Sequence, residues 1–275
     1  MKNLKLVLIL IGSFLMCSCN KVDFKETMID LSTHQLATFS VINHTRYLVV
    51  FESGLGDDHT PWIEKDIIKK ISKLSDVLLY DRAGIGRSGV GPVPRNIERL
   101  RIELESVINR FSNGRKVILV GHSLGGLIVR DYAIKNPGKT AAILFVDPAH
   151  EWYNHFSQAD EDMISNSIKK ACGPNSGGAM EASELIEDLQ YASTLPNLPN
   201  VPVIVLTSMK QNADNIAADK MNHSSRQGHY DAHESLKKEV TDFTHITTIH
   251  SGHYIMREEP ELVTDNVKLL ISKLP

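Results

Sequence analysis

The sequence predicts an α/β protein with a mostly parallel central sheet and helices on both faces. Three observations carry that prediction. Short apolar runs at 76–80, 116–120, 141–146 and 201–206 each have the length of a buried strand. Longer stretches between them carry apolar residues at helical spacing, as at Ile97, Leu100, Leu104, Val107, Ile108 and Phe111. Wholly apolar strands need a covering layer on each side, which amphipathic helices supply. Third, Gly121-His122-Ser123-Leu124-Gly125 directly follows the apolar Val117-Ile118-Leu119-Val120, an order that reads as strand, tight turn and helix.

The amino end reads as an export signal. Met1-Lys2-Asn3-Leu4-Lys5 is short and basic, and residues 6–16 form an apolar run broken only by Gly12 and Ser13. That run is too short for a comfortable membrane span. It ends at Cys17-Ser18-Cys19, in the manner of a bacterial lipoprotein signal. Cys19, after the small Ser18, is the expected lipid attachment site. Cys17, preceded by Met16, is a second candidate with a poorer neighbour. Residues 1–19 are thus expected to be a lipoprotein-type signal cut after Ser18, leaving an exported bacterial protein held in the cell envelope by lipid on Cys19 and not by a span.

Residues 20–33 read as a polar tether. Residues 35–42 and 47–52 are strand-like and suggest a hairpin turned at Asn43-His44. Residues 61–74 have helical spacing, 76–80 read as a strand and 95–111 as a helix. The strand at 116–120 feeds a helix over 124–135. Strands follow at 141–146, 201–206 and 246–250. A helix over 259–273, with Pro260 in its first turn, closes a catalytic domain spanning 34–275. Residues 148–200, rich in Ser, Asn, Gly and acidic residues, interrupt the alternation and are expected to be a lid inserted over the site.

Composition fits one domain of this kind. The chain has 275 residues, and its formal net charge of -3 gives no sign of a nucleic-acid partner. With Cys17 and Cys19 in the signal, Cys172 stands alone and an internal disulfide is impossible.

The chemistry is expected at the glycine-flanked serine. A serine is a poor nucleophile at neutral pH, so it needs a base within reach and an acid to orient that base. His253 is the base candidate. It follows the last expected strand, and the carboxyl ends of parallel strands share one edge with the serine turn. Two N–H donors must face the developing oxyanion. Leu124, immediately after the serine, supplies one. Leu55, in Glu52-Ser53-Gly54-Leu55-Gly56, supplies the other.

These blocks resemble the α/β-hydrolase fold superfamily, in its esterase-like and peptidase-like branches. Tyr80-Asp81-Arg82-Ala83-Gly84-Ile85-Gly86-Arg87-Ser88 is similar to the family's Asp-Arg-x-Gly-x-Gly-x-Ser stretch, and Gly252-His253-Tyr254 followed by Glu259-Pro260-Glu261 is similar to its histidine loop. The resemblance implies Ser123 as nucleophile, His253 as base, oxyanion donors at Leu55 and Leu124, and a structural Asp81 block with buried hydrogen bonds at Asp81 and Arg82. It implies a small-molecule acyl substrate and no cofactor.

The acid departs from the usual pattern. After the 201–206 strand no carboxylate comes before Asp214, whereas Asp147 ends the preceding strand. Asp147 is the favoured acid and Asp214 the alternative. His223, His229, Asp231, His233 and Glu234 lie close together but lack the His-Glu-x-x-His order. They are expected to be solvated helix residues, with no metal site. Asp57-Asp58-His59 is expected to cap the helix near Pro61. Glu151, Asp160 and Glu161 would serve an aminopeptidase-like alternative by binding an amino group. A catalytically silent ligand-binding lipoprotein is the reading from another class.

Overall fold

The computed structural model describes residues 22–275. The signal, with Cys17 and Cys19, lies outside the described residues. The strands are β1 (Lys25–Asp30), β2 (Gln35–Val41), β3 (Leu48–Glu52), β4 (Asp76–Tyr80), β5 (Val117–His122), β6 (Thr140–Val146), β7 (Val203–Ser208) and β8 (Phe243–Thr248). They form one sheet in the order β1-β2-β4-β3-β5-β6-β7-β8. β1 and β2, and β2 and β4, are antiparallel; every pairing from β4 to β8 is parallel.

The central strands β3 to β7 are buried along their whole length, as a sheet covered on both faces requires. Alternate residues feed opposite layers. Val50, Leu78 and Leu119 pack on one side with α3 (Ile97–Ser112) and α4 (Leu124–Lys135). Val49, Val77 and Ile118 pack on the other with the short α1 (Thr60–Ile63) and α2 (Ile67–Ile71) and with the final helix (Pro260–Lys273).

Three expectations are corrected. Residues 35–42 and 47–52 do not form a hairpin, because β4 lies between β2 and β3. Asp76, at the head of β4, holds the connection open. Its Oδ1 accepts from the N–H groups of Asn43 and Thr45 at 2.9 and 3.0 Å, and its Oδ2 from Arg115 at 2.7 Å. Nor are residues 25–30 tether: they pair with β2 as an edge strand with only Ile29 buried. The helix expected over 61–74 breaks into α1 and α2 between Ile63 and Ile67. The N-cap of α1, His59, makes no side-chain cap bond; Asp58, one residue earlier, accepts the Thr60 N–H on Oδ1 at 2.9 Å.

Between β6 and β7 the chain builds α5 (Gln158–Cys172), α6 (Gly177–Ala182) and α7 (Leu185–Ser193). Between β7 and β8 lie α8 (Ala213–Met221) and α9 (Arg226–Glu234). The short α10 (Ile255–Glu258) precedes the final helix, α11. No helix among the described residues is long and apolar enough to cross a membrane.

Candidate active site

Ser123 sits between β5 and α4 with φ +51° and ψ -123°, a strained backbone for a residue with a Cβ. Two glycines make the turn possible by contact, not by conformational freedom. A Cβ on Gly121 would lie 2.6 Å from the Gly125 carbonyl oxygen, and one on Gly125 would lie 2.6 Å from the carbonyl oxygens of Glu52 and Ser53. The serine carbonyl is tied down by the N–H groups of Gly126 and Ala149 at 2.8 and 2.9 Å.

Asp147 leaves β6 with φ +46°, another strained residue. Its carboxylate is buried and accepts three hydrogen bonds. Oδ2 accepts from His253 Nδ1 at 2.7 Å; Oδ1 accepts from the Ser208 N–H at 2.8 Å and from His229 Nε2 at 3.0 Å. Burial pushes this carboxyl up, but the charges and hydrogen bonds of His229 and His253 outweigh burial and hold it well below the usual carboxylate range. Asp147 therefore meets His253 across a short gap. Asp214 does not: it lies exposed in the first turn of α8, at the rim of the same cavity.

His253 is in the loop after β8, and its ring is partly exposed beside that cavity, which Ser123 also lines. With Nδ1–H committed to Asp147, Nε2 is the nitrogen left to take a proton. The loop is braced from beneath. His122 donates Nε2–H to the His253 carbonyl at 3.0 Å, and the two rings lie 4.6 Å apart. Burial drives His122 well below the ordinary histidine range, and the neighbouring His253 adds to it. His122 is thus a neutral strut beside His253.

The two expected oxyanion donors flank Ser123. Leu124 opens α4, so its N–H lacks an intrahelical acceptor. Leu55 lies in the loop after β3, which Arg82 pins. Arg82 Nη1 donates to the Ser53 carbonyl at 2.8 Å and Nη2 to the Gly54 carbonyl at 2.6 Å. In a trans peptide the C=O and the following N–H point opposite ways. Tying the Gly54 carbonyl to buried Arg82 therefore turns the Leu55 N–H away from it. Arg82 is held in turn by Glu52 at 2.8 Å and by Glu181 of α6 at 2.7 Å. The insertion is anchored at the same point, since Gly177 donates its N–H to the Gly84 carbonyl at 2.8 Å.

Sequence reasoning missed three residues here. His229 and His233 were expected at a solvated surface and are instead buried on α9. Their spacing of four marks the inward face of that helix. His229, His233 and Asp147 are close enough together to invite a cation. Yet His233 Nε2 is engaged with the Pro148 carbonyl at 2.7 Å, and both Asp147 oxygens are occupied. Glu181 gave no local signal at all. Glu151, Asp160 and Glu161 have structural partners: Arg130 at 2.7 Å, the α5 cap residue Ser157, and the Ile186 N–H at 2.9 Å.

With that geometry in view, the comparisons with known proteins are decisive for the family. Residues 47–260 match the profile of the α/β hydrolase fold. The chain belongs to that family. It is 27% identical over 215 residues to YqjL, an uncharacterised protein of Bacillus subtilis, spanning 78% of this chain and 79% of that one. It is 30% identical over 114 residues to the human (lyso)-N-acylphosphatidylethanolamine lipase, covering 40% of this chain and 33% of that protein. Among solved structures, an esterase from Thermogutta terrifontis superimposes with a TM-score of 0.71 at 18% identity, over 90% of this chain and 98% of that one. The carboxylesterase CesB of Bacillus subtilis gives 0.65 at 12% identity, over 91% and 92%. These two solved structures share the fold just described.

Proposed function

We propose that this α/β-hydrolase is a serine hydrolase that cleaves a small-molecule ester, thioester or amide through an acyl-enzyme on Ser123. The observation that carries the reading is the 2.7 Å hydrogen bond from His253 Nδ1 to the buried Asp147, at the edge of a cavity shared with the strained Ser123. His253 takes the Ser123 proton as Oγ attacks the carbonyl carbon. The Leu55 and Leu124 N–H groups receive the oxyanion. His253 then hands its proton to the leaving group as the carbon–heteroatom bond breaks. Water, deprotonated by the same imidazole, releases the acyl group and restores Ser123. Carboxyl esters are the first substrate class to try, in keeping with the esterases sharing this fold.

The test is covalent labelling. A fluorophosphonate probe should modify the wild type at Ser123 and leave Ser123→Ala unmodified. A native fold that takes no label would favour a silent ligand-binding protein. The aminopeptidase alternative loses ground because its three candidate carboxylates are engaged in structural contacts.

We further propose that the enzyme is held in the bacterial cell envelope by lipid on Cys19. Expressed in a bacterium, the wild type should incorporate labelled palmitate and Cys19→Ala should not. Label retained by Cys19→Ala would favour attachment at Cys17, or no lipoprotein processing at all.

A further inference from the structure

Two cavities of unequal size meet at Ser123. The larger, about 320 Å³, has His253, Gly252 and Tyr254 on one wall and Asn212, Asn215 and Arg226 on another. The smaller, about 90 Å³, begins at the oxyanion residues Leu55 and Leu124. Leu127 of α4, Ile164 of α5, and Leu185 and Leu189 of α7 also line it.

The chemistry assigns each cavity a part of the substrate. A tetrahedral carbon on Ser123 Oγ carries three other groups: the oxyanion, the acyl chain and the leaving heteroatom. The leaving heteroatom must receive a proton from His253, so it departs on the His253 side. With the oxyanion on the Leu55 and Leu124 N–H groups and the leaving group on the His253 side, the acyl chain takes the remaining direction, into the cavity that Ser123 shares with Leu127, Leu185 and Leu189. The small cavity is then the acyl site and the large one the leaving-group site. About 90 Å³ holds a few heavy atoms, not a fatty chain.

The far wall of the small cavity is fixed to the body of the protein. Asp188 of α7 accepts from the Ile97 N–H at 2.8 Å, and Glu161 of α5 accepts from the Ile186 N–H at 2.9 Å. Asp188 is also the one ionisable group in that wall. Burial pushes its carboxyl up to about 8, which favours the uncharged form in this largely apolar wall.

We infer that the enzyme selects short, uncharged acyl groups, acetyl to butanoyl, joined to a bulkier leaving group, and that Leu185 and Ile164 set the length limit. This rests on the acyl-enzyme reading above. The test is a series of p-nitrophenyl esters from acetyl to dodecanoyl, each rate divided by that of hydroxide hydrolysis. kcat/KM should peak at or below butanoyl and fall at least about tenfold by octanoyl, the scale of excluding methylenes from a filled pocket. Leu185→Ala and, independently, Ile164→Ala should move the peak to longer chains, with folding checked by circular dichroism. Labelling of Ser123 with a wild-type peak at octanoyl or beyond overturns this inference alone. So does a peak that moves in neither folded variant. Absence of both labelling and ester hydrolysis overturns it together with the reading it rests on.

Discussion

His229 donates Nε2–H to Asp147 Oδ1 at 3.0 Å, so a single buried carboxylate spans two histidine rings. A carboxylate only accepts, so the proton between the two groups sits on His229 Nε2. Its Nδ1 is then left buried without a partner. A buried polar atom without a partner costs stability, and the gain here is a fixed Asp147. With Ser208 N–H and His229 on one oxygen, the other is turned to His253.

That relationship predicts the outcome of His229→Leu. Asp147 loses one of three donors, and a hydrogen bond to a charged group contributes roughly 1.5–3 kcal/mol. Stability at pH 7 should fall by about that much. Asp147 lies below its unfolded value, so its contribution is present above that value and lost as pH falls through the folded one. The gap between variant and wild type in urea unfolding should therefore narrow as pH drops below about 4. A gap that stays constant would mean that packing alone is involved.

Asp147→Asn keeps the shape but removes the charge that favours the imidazolium. It should lower kcat by up to ~10⁴-fold and leave KM nearly unchanged. Asp214→Asn, altering an exposed carboxylate on α8, is the control and should retain most activity. Steady-state kinetics on one ester decides between them, and the reverse result would reassign the acid.

The serine turn, the histidine loop and Asp147 were legible because each is a local pattern attached to a strand end. What escaped was non-local. Glu181 reaches Arg82 across 99 residues, and nothing in the composition of the insertion marks it as the anchor of the Leu55 loop. The hairpin expected before residue 52 failed for the same kind of reason. β2 and β3 are close in sequence, but their common partner β4 arrives only at Asp76. β1 was invisible because one buried residue in an edge strand leaves no alternation to read. His229 and His233 did carry a signal, a spacing of four, but spacing alone does not say which way a helix face points.

Glu181→Ala tests the anchor. It removes one of two carboxylates from an arginine with 1% of its side chain exposed. Breaking a buried pair costs roughly 3–5 kcal/mol. Thermal unfolding should show the loss. Because Arg82 also holds the Ser53 and Gly54 carbonyls, kcat should fall more than KM rises. A stable variant with normal kcat would mean that Glu52 alone holds Arg82 in place.

Asp188 gives a pH dependence of the opposite sign to Asp147. Burial raises its carboxyl to about 8, opposed by the hydrogen bond from the Ile97 N–H and aided by Glu184. Between its unfolded value near 4 and about 8, the folded chain holds a proton that the unfolded chain releases. Stability from this group is therefore complete below about pH 4 and declines as pH rises towards 8. Asp188→Asn keeps an oxygen to accept from Ile97 and cannot ionise. Urea unfolding at pH 6 and pH 8.5 should show the wild type losing more stability over that interval than Asp188→Asn does. Equal losses would mean that Asp188 ionises freely in the folded protein, and the wall of the small cavity would then be charged at neutral pH.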